Sequence, residues 1–407
     1  MRELIVSFFI VAVLTLAQCP DFSAPGPYDW TYRTVSIPSE DETMSNSRIY
    51  YPVVNDTIPN SAVPCPVTAF GHGFNIGIDK YYSYGEHLAS HGFILVLPTI
   101  SNPVFSPNHN YRARLMITAA RYAADLNFSS GDVFEGKVDV DNWAFIGHSM
   151  GGAISLLAGD RYVNYPDSMY HLGDTLRCII SYASPQSNPA TVAERITTPA
   201  LILTGENDNT APWEDVRSAY WADKPAPGAF AIIDGANHCY YCDESSVCDW
   251  FDPSADITRE EQRLIARRHT TAFMYYYQLS NTSDCVHRYA YGDSIQSAGW
   301  MDSVEVRFLP LSINEYEIPK SIAQLEVHPN PGNSSFRIVL PGDVSAKVGT
   351  IEIYDNTGRF VQSISAKTDQ SGIYVIWKPA ENLPSGNYYI RSAGSKGQML
   401  GKIVYLR

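Results

Sequence analysis

The segment Gly147-His148-Ser149-Met150-Gly151 lies between the apolar run Trp143-Ala144-Phe145-Ile146 and the helix-like Gly152-Ala153-Ile154-Ser155-Leu156-Leu157. A strand that becomes a helix within so few residues has to turn sharply. The flanking glycines let the two backbones approach with no Cβ between them. The central Ser149 is then held in a strained turn, with its hydroxyl exposed at the end of the strand. A helix beginning directly after it points its positive dipole end at any oxygen reacting there.

The rest of the chain fits that corner. From about residue 46 to 265, short apolar strands alternate with helical stretches. Val67 to Phe70 is a strand, followed by the turn Gly71-His72-Gly73-Phe74. Tyr81 to Ser90 is a helix and Phe93 to Leu97 a buried strand. Tyr111 to Leu126 carries apolar residues at helical spacing, among them Leu115, Ala119, Tyr122 and Leu126. Strands follow at Cys178 to Tyr182, Ala200 to Thr204 and Ala229 to Ile233, with a closing helix over Thr258 to Leu279. Alternation of this kind gives parallel strands joined by crossover helices. The expected fold is therefore α/β, a mostly parallel sheet flanked by helices, as in the α/β-hydrolases.

From Ile322 to Arg407 the texture changes to short alternating strands separated by turns. Strands are expected at Phe336 to Leu340, Thr350 to Tyr354, Tyr374 to Trp377 and Asn387 to Arg391. Turns fall at Asn356-Thr357-Gly358 and Pro384-Ser385-Gly386-Asn387. This is a small all-β sandwich. The boundaries expected are a signal peptide at 1–17, a catalytic domain at 18–310, a linker at 311–320 between Pro310 and Pro319, and the β domain at 321–407.

The 407 residues are 45% hydrophobic and 18% charged, which describes a globular protein rather than a disordered one. A net charge of -14 with no basic patch argues against nucleic acid as a partner. Arg2, the apolar stretch Leu4 to Leu16 and the site Thr15-Leu16-Ala17 form an export signal too short to span a membrane comfortably. After its cleavage no integral span is expected. Cys19 raises a lipoprotein alternative, but Gln18 does not suit one. In an exported chain most of the seven cysteines should be oxidised. Cys178 is the expected buried thiol, and Cys239, Cys242, Cys248 and Cys285 are expected to form two bridges, with Cys19 and Cys65 a third pair. Cys239 and Cys242 have a spacing that metal or redox sites also use, but export favours structural bridges.

A serine needs a base to become a nucleophile. Among the ten histidines, His238 follows the strand Ala231-Ile232-Ile233 and the turn Asp234-Gly235-Ala236-Asn237, where this fold presents its base. His148 adjoins Ser149 but points elsewhere and is structural, and His269 is a surface or packing residue of the closing helix. Asp208 lies at the end of the strand-to-turn run Leu201 to Asp208, between serine and histidine in the chain. Glu206 and Asp234 are its competitors for the acid role. The second oxyanion donor, beside the N–H of Met150, is expected at Phe74 N–H. No metal or organic cofactor is implied.

These residues together resemble the dienelactone-hydrolase-like branch of α/β-hydrolases, which includes chlorophyllases, platelet-activating-factor acetylhydrolases, bacterial cutinases and polyethylene terephthalate hydrolases. Lys137-Val138-Asp139, the elbow, Pro199 to Ile202 leading to Glu206-Asn207-Asp208, and Ala236-Asn237-His238-Cys239 look most like the bacterial cutinases. The resemblance implies that Phe74 and Met150 also line the acyl cleft. Ser149 speaks against dienelactone hydrolysis itself, which uses cysteine. The platform tryptophan of polyesterases is replaced by Ser184-Pro185-Gln186, and His72-Gly73 is unusual in their oxyanion loop. Polyester cleavage is therefore not favoured. Val327 to Pro331, Ile353 to Arg359, Leu383 to Tyr389 and Lys402 to Val404 resemble a type IX secretion sorting domain, which implies the type IX machinery as partner and an extracellular or cell-surface destination. The other use of such a domain is surface binding, which an exposed row of Tyr374, Trp377, Tyr388 and Tyr389 would favour, although the same residues can equally fill the sandwich core. The expected activity is serine hydrolysis of carboxylic esters, small or polymeric, cutinase-like or lipase-like. A peptidase of the same fold and a catalytically inactive surface-binding protein are the alternatives.

Overall fold

The structure is a computed structural model. It describes residues 19–101, 108–164, 168–185, 192–225, 227–245, 247–250, 252–307, 326–340, 350–354, 360–369, 372–380, 383, 385–392 and 399–406. The expected signal peptide, the link at 311–320, Gln186, the turn at 356–358 and Pro384 lie outside the described residues. The chain divides into two compact units, with the break between Val306 and Arg307.

The first unit is built on nine strands: β1 (Asp29–Pro38), β2 (Thr43–Val53), β3 (Cys65–Gly71), β4 (Ile94–Leu97), β5 (Val138–His148), β6 (Leu176–Tyr182), β7 (Ala200–Gly205), β8 (Gly228–Ile233) and β9 (Met301–Arg307). Their order is β1-β2-β4-β3-β5-β6-β7-β8-β9. Strands β3 to β8 run parallel, while β2 is antiparallel to both β1 and β4. The central strands are buried on both faces, so they read as continuous apolar runs rather than as alternations. Alternate residues still serve different layers. Trp143, Phe145, Ile179 and Ile202 join one large core with side chains of the helices α2 (His109–Asp125), α3 (Met150–Tyr162) and α4 (Trp213–Tyr220). Helix α1 (Tyr82–Ser90) contacts α5 (Arg259–Tyr277), which in turn packs on α6 (Asp284–Ala290). A four-residue helix α7 follows at Asp293–Gln296.

The parallel core, α2 and the elbow helix fall where the sequence pattern puts them, and α5 starts at a full capping box between Thr258 and Glu261. The antiparallel edge β1–β2 and the outer strand β9 were not expected from the sequence. On β1 the inward positions are only partly covered, so its apolar signal is weak.

The second unit comprises β10 (Glu326–His328), β11 (Phe336–Leu340), β12 (Thr350–Tyr354), β13 (Phe360–Ser365), β14 (Lys367–Asp369), β15 (Gly372–Trp377), β16 (Gly386–Ser392) and β17 (Met399–Tyr405). They form two antiparallel four-stranded sheets, β10-β11-β15-β14 and β13-β12-β16-β17. Phe336, Ile338, Ile353, Trp377, Tyr388 and Ile390 share one buried core drawn from both sheets. Of the aromatic row, Trp377 and Tyr388 fill the sandwich, because alternate positions of β15 and β16 point inward.

Candidate active site

Strand β5 delivers Ser149 at a sharp corner, with φ +55° and ψ −123°. Its N–H donates to Tyr182 O at 2.8 Å, and its C=O accepts from Ala153 N at 3.0 Å, so strand and helix both fix the turn. A Cβ on Gly151 would stand 1.9 Å from Gly71 O, and one on Gly147 would stand 2.2 Å from the Gly151 carbonyl carbon. Glycine is required at both positions by contact, because β5, α3 and the end of β3 meet there.

Strands β7 and β8 end beside this corner, and the loops after them carry Asp208 and His238. His238 Nε2 lies 2.9 Å from Ser149 Oγ, and Nδ1 lies 2.9 Å from Asp208 Oδ2. With the proton on Nδ1, that nitrogen donates to the carboxylate and Nε2 accepts from the serine hydroxyl. Asp208 Oδ1 accepts Ala211 N–H at 2.6 Å, so both carboxylate oxygens are engaged. All three side chains are buried, Ser149 retaining 8% of its surface. Of the two competing acids, Glu206 has its carboxylate engaged elsewhere. Glu206 Oε2 accepts Gly235 N–H at 2.9 Å, and the main chain of Asp234 bonds to Trp300 O.

His148 performs a different task. Its Nε2–H donates to His238 O at 2.8 Å, and its Nδ1 accepts from Tyr81 OH, also at 2.8 Å. Tyr81 OH in turn accepts Gly73 N–H at 3.1 Å. This chain of bonds links the histidine loop, the elbow and the loop after β3. It requires a neutral imidazole and a protonated phenol. Burial supplies both, holding His148 well below the usual histidine range, with His238 adding to the effect, and pushing Tyr81 well up. His72 is also buried and depressed, its Nε2 accepting Ile100 N–H at 3.0 Å and its Nδ1–H donating to Gly73 O at 2.9 Å. His269 is wholly buried, with Nδ1 against Tyr289 O, and is a packing residue.

Phe74 and Met150 flank one spot. The Arg112 guanidinium lies 3.2 Å from Met150 Sδ and 5.9 Å from the Phe74 ring centre. Phe74 is 41% exposed, whereas Met150 is buried.

The cysteine pairing is corrected. The bridges are Cys19–Cys285 and Cys239–Cys248, and Cys65, Cys178 and Cys242 are buried thiols. Cys65 sits at the start of the buried strand β3, with its Sγ on Ala62 O, and Cys242 lies 3.5 Å from Tyr81 OH. Sequence reasoning missed three residues that support the histidine loop. Tyr81 acts through His148. Gln262 brackets Asn237, its Oε1 accepting Asn237 N–H and its Nε2–H donating to Asn237 O. Asp252 accepts His238 N–H at 2.6 Å. None sits in a motif; only the fold brings them in.

A mostly parallel sheet, helices packed on its strands and a serine on a positive-φ corner after the central strand define an α/β-hydrolase. The chain belongs to the PET hydrolase-like family, whose model matches residues 22–249, and it is thus a hydrolase acting on esters. Residues 326–405 match the secretion system C-terminal sorting domain, of the type IX class, which marks the protein for export to the cell surface or beyond. No curated protein matches the chain.

Proposed function

We propose that the protein is a serine hydrolase of carboxylic esters. Ser149 Oγ attacks the ester carbonyl as His238 Nε2 takes its proton, and Asp208 holds the Nδ1–H and stabilises the imidazolium. The N–H groups of Phe74 and Met150 receive the negative oxygen. Collapse of the tetrahedral species expels the alcohol, which takes the proton from His238 and leaves an acyl-Ser149. A water then gives its proton to His238 and attacks the acyl carbon, releasing the acid. The observation that carries this mechanism is the unbroken row Asp208–His238–Ser149, with both links at 2.9 Å. The catalytic unit is proposed to span 18–310, with a linker at 311–320 and the sorting domain at 321–407.

Short, soluble esters are the proposed substrates, ahead of solid polyesters. In the segment Ser184-Pro185-Gln186, which stands where the resemblance places the platform tryptophan of polyesterases, Ser184 is wholly buried, with its Oγ 2.5 Å from Ser181 Oγ. It offers no flat ring for a polymer segment to lie on. The test is hydrolysis of p-nitrophenyl butyrate beside release of acid from a polyester film. Ser149→Ala should abolish both, and a fluorophosphonate should label the wild type at Ser149 alone. Normal turnover by Ser149→Ala would end the serine mechanism, and film hydrolysis rivalling the soluble rate would overturn the substrate preference.

A further inference from the structure

Two carboxylates touch His238, and the mechanism above uses one. Asp208 takes the ring Nδ1–H, while Asp252 Oδ2 takes the main-chain N–H of the same residue at 2.6 Å. The second oxygen of Asp252 accepts from Asn209 N and Thr210 Oγ1, both at 3.3 Å. One side chain therefore joins the loop of the base to the loop of the acid.

The residues after Asp252 repeat the stitch. Pro253 O accepts Asn237 Nδ2–H at 2.9 Å, and Asp256 Oδ2 accepts Asn207 Nδ2–H at 3.0 Å. The Asp256 N–H donates to Gly235 O at 2.7 Å. These contacts come from beyond the 22–249 segment that the family describes. Burial, with Asp208 nearby, pushes the Asp252 carboxyl up, so keeping it ionised costs free energy. A neutral acceptor could take the His238 N–H without that cost. A negative charge is useful where positive charge develops, and here it develops on the His238 ring.

We propose that Asp252 is a positioning residue for the base: it holds His238 in reach of Ser149 and Asp208 together, and its charge favours the imidazolium as it forms. The proposal rests on the Ser149–His238–Asp208 assignment. The groups around His238 divide simply. Asp208 and Asp252 carry negative charge. The His148 ring, 4.9 Å away, is kept neutral by burial, as is the Tyr241 phenol. Arg259 is the nearby cation; its Nη1 bonds Cys239 O and its Nη2 pairs with Asp249.

The test uses the full chain, p-nitrophenyl butyrate and pH profiles of kcat and kcat/KM, with melting temperature alongside. Asp252→Asn keeps one oxygen acceptor and removes the charge. It should lower kcat roughly 10- to 100-fold, the loss expected for a charged hydrogen bond. KM should change little. The acid limb of kcat/KM should move to lower pH, because the imidazolium has lost a favourable charge. Asp252→Glu should restore the limb while kcat stays below wild type, since the charge returns on a longer arm. A lower melting temperature with kcat and the limb unchanged would reduce Asp252 to a structural tie and overturn the proposal. If Asp252→Asn does not fold, the Glu variant decides, and wild-type kcat in it would overturn the positioning role. Asp208→Asn runs in parallel. Wild-type turnover there would instead remove the triad assignment, whatever Asp252 does.

Discussion

Ser149 occupies a backbone conformation that an L-residue avoids, and the strain is held by its N–H on Tyr182 O and by the glycine contacts around it. The motif announced that corner because its residue types follow from its sterics. The closeness of His238 and Asp208 to Ser149 was legible for a similar reason: strand ends in this fold face one edge, so order along the chain predicts proximity. Asp208→Asn should lower turnover by about 10⁴-fold, because the amide no longer selects the Nδ1–H tautomer. Glu206→Gln and Asp234→Asn should be nearly silent; the reverse pattern in steady-state assays would reassign the acid. What the sequence did not disclose are the bonds one layer out. Tyr81, Asp252 and Gln262 act on main-chain atoms of distant loops, and a main-chain partner leaves no signature in residue type. His148→Ala should remove the acceptor of the Tyr81 hydroxyl proton and the donor to His238 O, costing about 2–3 kcal/mol in chemical unfolding. A stability unchanged from wild type would show that the link between these loops is not needed.

Among the elements, the parallel strands and their helices were legible because burial on both faces leaves unmistakable apolar runs. The edge strands β1 and β9 were not, since a partly covered strand draws on mixed residues. The meeting of β3, β5 and α3 leaves no space for a methyl group. Gly151→Ala should therefore unfold the elbow or displace the loop carrying Phe74, at a cost of about 4 kcal/mol or more. An active, stable variant would mean that these backbones lie further apart. Helices α1 and α5 carry an acid sensitivity. Burial lowers His87 to about 3 and His269 to about 4. The unfolded chain takes up these protons near pH 6.5, the folded chain only near the lowered values. Between those points the unfolded state binds more protons, so stability falls as pH drops, by about 1.4 kcal/mol per pH unit for each histidine. Denaturation midpoints from pH 7 to pH 4 should show this slope. His87→Gln, which can still bond Thr271 Oγ1, should flatten it by one group. An identical slope in the variant would contradict the assignment.

For the whole molecule, chemistry and delivery are proposed to occupy different units. No described helix is long and apolar enough to cross a membrane. A chain ending near Pro319 should fold and match the full protein on a soluble ester, since Ser149, Asp208 and His238 all precede it. It should fail to reach the medium in a host with type IX secretion. Specific activity and the partition between periplasm and medium measure the two effects separately. Lost soluble-ester activity would assign the β unit a part in the site, and unaided export would remove its sorting role. The bond Cys19–Cys285 joins positions 266 residues apart in the sequence. Topologically it makes nearly all of the first unit a closed loop, with the β unit hanging outside it as a tail. A single proteolytic nick anywhere between those cysteines opens the loop without producing a second molecule, so Ser149 and His238 stay on one covalent body. Trimming the tail leaves the loop shut. For a catalyst released among foreign proteases, the first cut is then a scar rather than a severance.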